Sequence, residues 1–185
     1  MIILKNTNHR IIWTMNFFRK GFTLVELLIV MVIIGLLATV VFVAINPSEL
    51  MKRSRDTGRI SAIVQLSRSL QFFYSANDDF PDESDWNTQL LNVESMSTFP
   101  PQLNSDETTN CTDGSNINQY CYQVESINIY NDQSVVYVQL YSAREIQKCI
   151  YATDSIPYFV YTTFSQRRGI VCGQPSAGED LTFVN

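Results

Sequence analysis

Histidine occurs once, at position 9, and nowhere after it. The rest of the chain therefore lacks the commonest acid–base catalyst and metal ligand. No G-x-S-x-G turn is present to raise a serine nucleophile, and no histidine base could serve one. Cys111, Cys121, Cys149 and Cys172 include no C-x-x-C pair, so the usual zinc spacing is missing. Positive charge is also scarce. Of 13 basic residues, Lys5, Arg10, Arg19 and Lys20 precede Phe22, whereas all 18 acidic residues follow Gly21. From Phe22 onward 9 basic residues face 18 acidic ones, a net charge of −9, which argues against a general nucleic-acid surface. Nothing singles out a carboxylate pair for hydrolysis. The expectation is a protein with no cofactor, no metal and no specific nucleic-acid partner, and not an enzyme.

What the chain has instead is one long apolar run. Residues 22–45 are almost wholly apolar, and their only charge is Glu26. As a helix they would span roughly 36 Å at ~1.5 Å per residue. A hydrocarbon core of about 30 Å is shorter than that. A secretory signal would have an apolar region of only about 7–15 residues, with small residues after it. Here Asn46-Pro47-Ser48 follows. An ordinary membrane anchor would have no use for Glu26, because a carboxylate at mid-bilayer costs on the order of 2.5–3.5 kcal/mol.

The junction before the run is R-K-G-F-T-L-V-E, with Lys20, Gly21, Phe22, Thr23, Leu24 and Glu26 in fixed order. It resembles the class III signal of type IV pilins and pseudopilins: K-G, then F-T-L-x-E, then an apolar run long enough to span a bilayer. That resemblance implies a cleaved leader, 1–21, cut by a prepilin peptidase between Gly21 and Phe22, with N-methylation of Phe22. It also implies an α+β subunit, a long N-terminal helix packed on a small antiparallel sheet. Such a subunit is inserted in the cytoplasmic membrane by a single pass. It is then polymerised on an inner-membrane assembly platform into an extracellular or periplasmic filament. Its partners would be copies of itself, the processing enzymes and membrane lipid. Glu26 would pair with the Phe22 amine and set axial register. Within the leader, M-N-F-F-R-K-G from Met15 is itself short and basic, and Met15 is read as the translation start.

After the core helix, 22–45, the helical pattern is expected to continue through 46–75. Its weak points are Pro47, which removes one backbone bond, and Gly35, about 1 kcal/mol poorer than Ala. Ile60, Ile63, Leu66, Leu70 and Phe73 recur every three or four residues, an amphipathic stripe. Lys52, Arg55 and Arg59 lie on the same side, nearer the membrane. We read them as a solvated face, or as partners for acidic groups of a neighbouring subunit, with the head covering the helix only from about Ile60.

Residues 76–119 are polar and proline-containing, a connecting loop with a short helix near 84–91 capped by Ser84. The acidic group Asp78, Asp79, Asp82, Glu83 and Asp85 lacks EF-hand spacing and is read as a solvated loop. Residues 120–185 form the sheet head, with strands at 120–130, 134–141, 158–164 and 169–172. Asn131-Asp132-Gln133 and 165–168 read as hairpin connections. Val136, Val138 and Leu140 would face the helix, with Tyr137, Gln139 and Tyr141 outward. The tail after Gly173 is read as polar and mobile. Even cysteine number, confined to the exported part, fits two disulfides outside the cytoplasm. Of three possible pairings, the local one, Cys111 with Cys121 and Cys149 with Cys172, is expected.

The function expected is thus a structural subunit of a type IV pilus. A pseudopilin of a secretion or DNA-uptake system shares the same helix. A membrane-tethered extracellular hydrolase or binding module would keep the anchor but require no cleavage at Gly21.

Overall fold

The fold is described from a computed structural model over residues 21–93, 96–102, 107–111, 114–127 and 130–184. Arg19, Lys20, the expected start at Met15 and the rest of the expected leader before Gly21 lie outside the described residues. The chain forms two units, residues 1–45 and 46–185.

In the first unit, apolar residues on every side give helix α1, Leu24–Ile45, with no buried residue. Its start is fixed by Thr23. The Thr23 hydroxyl accepts the Glu26 N–H (3.2 Å) and the Thr23 carbonyl accepts the Leu27 N–H (3.2 Å). By length and composition it can cross a membrane.

The expected single helix is two. Asn46 takes a left-handed backbone (φ 47°), and α2, Pro47–Asn77, begins one residue later. Proline disfavours α geometry in the residue before it, and its missing N–H costs nothing at a first helical position. Asparagine tolerates the left-handed region better than most residues. A new helix therefore starts where a kink was expected. It ends at Asp78 (φ 58°), whose N–H bonds the Tyr74 carbonyl.

The second unit packs α2 on a six-stranded antiparallel sheet in sequential order. The strands are β1 (Ser115–Ile117), β2 (Tyr120–Ile127), β3 (Tyr130–Gln139), β4 (Pro157–Thr162), β5 (Arg167–Cys172) and β6 (Phe183–Val184). Asn118 and Gln119, both at positive φ, make the tight β1–β2 turn. Asn131–Gln133 is not a turn: Asn131 and Gln133 pair with Ser126 and Glu125 across a bulge. The bulge absorbs the extra polar residue, so β3 runs on through it.

Ile63, Leu66, Leu70 and Phe73 of α2 meet Val136, Val138, Leu140, Phe159, Tyr161 and Ile170 in the main core. The other sheet face is not outward. Val135, Tyr137, Tyr158, Val160 and Val171 form a second buried cluster, covered by Cys111, Ala177, Leu181 and Phe183. The tail after Gly173 is thus docked, because Phe183 and Val184 pair with Val171 and Ile170.

Two further helices complete this unit. Helix α3, Trp86–Asn92, starts from Asp85 and not Ser84. It buries Trp86 against Tyr122 (4.8 Å, stacked) and Phe99 (5.0 Å, edge-on), which joins the connector to the main core. Helix α4, Ala143–Lys148, lies in the β3–β4 connection.

Candidate functional site

At the processing junction, Gly21 and Phe22 are non-helical and exposed, with Phe22 at 76%. The Gly21–Phe22 bond is therefore open, ahead of the first helical turn. Thr23-x-x-Glu26 has the spacing of a capping box, which puts Glu26 at the third helical position. A carboxylate there is also favoured by the helix macrodipole. Glu26 has this local reason for its place in addition to any intersubunit role. A Cβ added at Gly35 would meet no atom within 4 Å, so nothing among the described residues requires glycine there.

In the second unit the structure pairs Cys111 with Cys121 and Cys149 with Cys172, and no described cysteine is free. The first bridge ties the connector to β2. The second ties the end of α4 to the end of β5.

The basic side of α2 differs from the solvated face expected. Arg59 is 1% exposed, and Asp56 is buried beside it. Arg59 Nη1 donates to Asp56 Oδ1 (3.1 Å) and Nη2 to Glu107 Oε2 (2.8 Å). Its guanidinium lies 4.8 Å from the Tyr141 ring centroid. Arg55 reaches the other Glu107 oxygen (3.3 Å). A buried charge costs several kcal/mol unless paired, and both partners come from this chain, not from a neighbour. Lys52 alone of the three remains exposed.

The same carboxylates hold α4. Asp56 accepts the N–H groups of Tyr141 (3.1 Å) and Ser142 (2.8 Å). Glu49 accepts the Ala143 N–H with both oxygens (3.0 and 3.1 Å) and pairs with Arg53 (3.1 Å). The Ala143 N–H first, and Arg53 after it, hold the Glu49 carboxyl below the usual carboxylate range. Ser142 makes no side-chain cap of its own, so two carboxylates of α2 cap α4 from outside. The head therefore engages α2 from Glu49, well before Ile60.

The residues missed from sequence were Glu49, Asp56, Glu107 and the α4 start. One signal was available. Glu49, Asp56, Ile63 and Leu70 are spaced by seven, so the carboxylates continue the apolar stripe. In the acidic loop, Glu83 accepts the Val124 N–H (2.7 Å), and Asp82 and Asp85 hold Gln89. Among the described residues no three His, Cys, Asp or Glu converge as metal ligands.

A family model described as the prokaryotic N-terminal methylation motif matches residues 17–42. No curated protein and no solved structure gives a match. The chain carries the class III signal of type IV pilins and pseudopilins, ahead of an α+β, pilin-like fold. The motif supports a pilin- or pseudopilin-like protein, points to a structural subunit and implies processing by a prepilin peptidase.

Proposed function

We propose that this chain is the filament subunit of a type IV pilus. Its leader is cut between Gly21 and Phe22, Phe22 is N-methylated, and α1 then moves from the cytoplasmic membrane into the filament core on an inner-membrane platform. The observation that carries this reading is α1 itself, preceded by the K-G-F-T-L-x-E junction and devoid of any buried residue. Burying one Leu, Ile, Val or Phe is worth about 1.5–3 kcal/mol. A helix made of such residues therefore leaves lipid only for an equally apolar place, and a bundle of identical helices is one. Two disulfides in the head suit a subunit whose head stands outside the cytoplasm, where a pilus or a pseudopilus forms.

Within such a bundle the Glu26 carboxylate needs a cation. Cleavage creates one at matching depth, the α-amine of Phe22. A neighbour's amine would set axial register as well as compensate charge, since apolar helices alone can slide. Glu26→Leu should insert and be cleaved, yet yield few filaments in electron micrographs of surface preparations. Glu26→Asp should be intermediate. Wild-type filament numbers with Glu26→Leu would refute the pairing.

A further inference from the structure

The clearest unassigned feature of the head is a cavity of about 330 Å³ between the end of α2 and the β4–β5 hairpin, lined by Gln71, Tyr74, Phe80, Tyr161, Thr163 and Gln166. Its size falls at the low end of the ~300–1,000 Å³ typical of small-molecule sites, so it suits a single ring. No lining residue is charged, and all but Phe80 carry an amide or hydroxyl. An anion would want a bidentate cation in the wall. Arg168 pairs with Tyr161 across the strands but does not line the cavity.

Several polar groups here are fixed in place yet have capacity left. Gln71 Nε2 donates to the Tyr161 hydroxyl (2.8 Å), which orients the amide and leaves the Gln71 carbonyl oxygen to accept. Thr163 is locked by Ser134, accepting its N–H (2.7 Å) and donating to its carbonyl (3.1 Å). Tyr74 is stacked on Phe80 with centroids 4.6 Å apart, so an aromatic surface stands in the wall beside the amides. Gln166 holds a left-handed backbone, φ 51°, at a turn position that glycine would fill with less strain. Its side chain is exposed, and the turn that carries it is closed by the Gln166 N–H donating to the Thr163 carbonyl (3.3 Å), so the amide lines the cavity at its open side.

From this arrangement we propose that the cavity binds a neutral sugar ring. Pyranose C–H faces pack on aromatic rings, while hydroxyls need donors and acceptors held at fixed positions. An uncharged wall of two amides, three hydroxyls and an aromatic stack supplies both. The site belongs to the head alone and does not depend on how α1 assembles.

The test is saturation-transfer NMR with the full chain in dodecylphosphocholine micelles, which carry no sugar headgroup. The probes are galactose, N-acetylglucosamine, N-acetylgalactosamine and galacturonate, with leucine amide as an apolar control. At least one of the neutral sugars should receive saturation, and galacturonate and leucine amide should receive less. Gln166→Gly removes the amide at a position where glycine relieves the backbone, so it should keep or raise the melting temperature. It should weaken sugar binding roughly fivefold to tenfold, as expected for a lost hydrogen bond. Gln71→Ala should do the same, and Tyr151→Ala, at a fully exposed residue outside the lining, should change nothing. Absence of transfer to every neutral sugar, or transfer unaltered in Gln166→Gly, overturns the proposal.

Discussion

Helices α1 and α2 follow one another in sequence and solve opposite problems. The 22 residues of α1 bury nothing within the chain. The 31 residues of α2 bury nine, among them Asp56 and Arg59. One helix has apolar side chains and buries none of them; the other has even its buried charges paired. The difference separates two sources of stability. The head is held by contacts within one chain, whereas the apolar surface of α1 has no buried residue among those described and needs cover from elsewhere. Changes in α2 should therefore be read out in head unfolding, and changes in α1 in insertion and assembly.

The largest effect on the head should come from Arg59. Arg59→Met leaves Asp56 and Glu107 without their cation, and breaking a buried pair costs about 3–5 kcal/mol. Thermal unfolding of the full chain in detergent should fall sharply, while cleavage after Gly21 continues. An unchanged melting temperature would mean that the clasp contributes nothing.

Next in size is the Cys149–Cys172 bridge. Replacing both residues with serine should cost roughly 2–4 kcal/mol through a freer unfolded chain. Alkylation of unreduced, denatured wild-type protein should add no mass. Adducts on any of the four cysteines would contradict the pairing.

Titration separates the two helices more finely. Burial raises the Tyr120, Tyr122, Tyr141, Tyr158 and Tyr161 phenols above their ordinary value. The folded head thus favours the neutral phenols. Their contribution is complete below an unfolded value of about 10 and is lost as pH rises beyond it. Glu49 works in the opposite sense. Its lowered value adds stability above the unfolded carboxylate range, lost as pH falls through the folded value. Helix α1 contains no tyrosine, so its helical signal in micelles should survive alkali that melts the head. Circular dichroism against pH, followed in near- and far-ultraviolet bands, checks this.

The smallest effect belongs to Gly35. Gly35→Ala should leave head melting unchanged and favour α1 helicity by about 1 kcal/mol. A filament map should show helical bonds lost between Gly35 and Pro47, which would make the filament extensible. A filament map with helix unbroken from Gly35 to Ile45 would argue against that.

What could be read from sequence followed local patterns. The apolar run and its junction gave α1, and the three-or-four spacing from Ile60 to Phe73 gave the buried face of α2. Alternation placed Val136, Val138 and Leu140 toward the helix, as found. What could not be read depended on distant partners. Arg59 looks like a surface cation until Glu107, 48 positions away, is known to meet it. Asn131 and Gln133 look like a turn until the bulge opposite them is known. The polar tail hides Phe183 and Val184, whose partners are the edge of β5. Helix α4 does carry a local start signal, the capping-box spacing Ser142-x-x-Glu145, but the carboxylates that cap it lie on α2 and are distant in sequence.

The central claim is that the chain is made to be cut after Gly21 and assembled through α1. Intact-mass measurement of the subunit from membranes and from sheared surface filaments tests it most directly, in wild type and in Gly21→Arg. The account predicts a wild-type mass beginning at Phe22 with one added methyl group, in both fractions, and a Gly21→Arg precursor found only in membranes. A surface subunit that retains its leader, or a Gly21→Arg protein that still begins at Phe22, would contradict it.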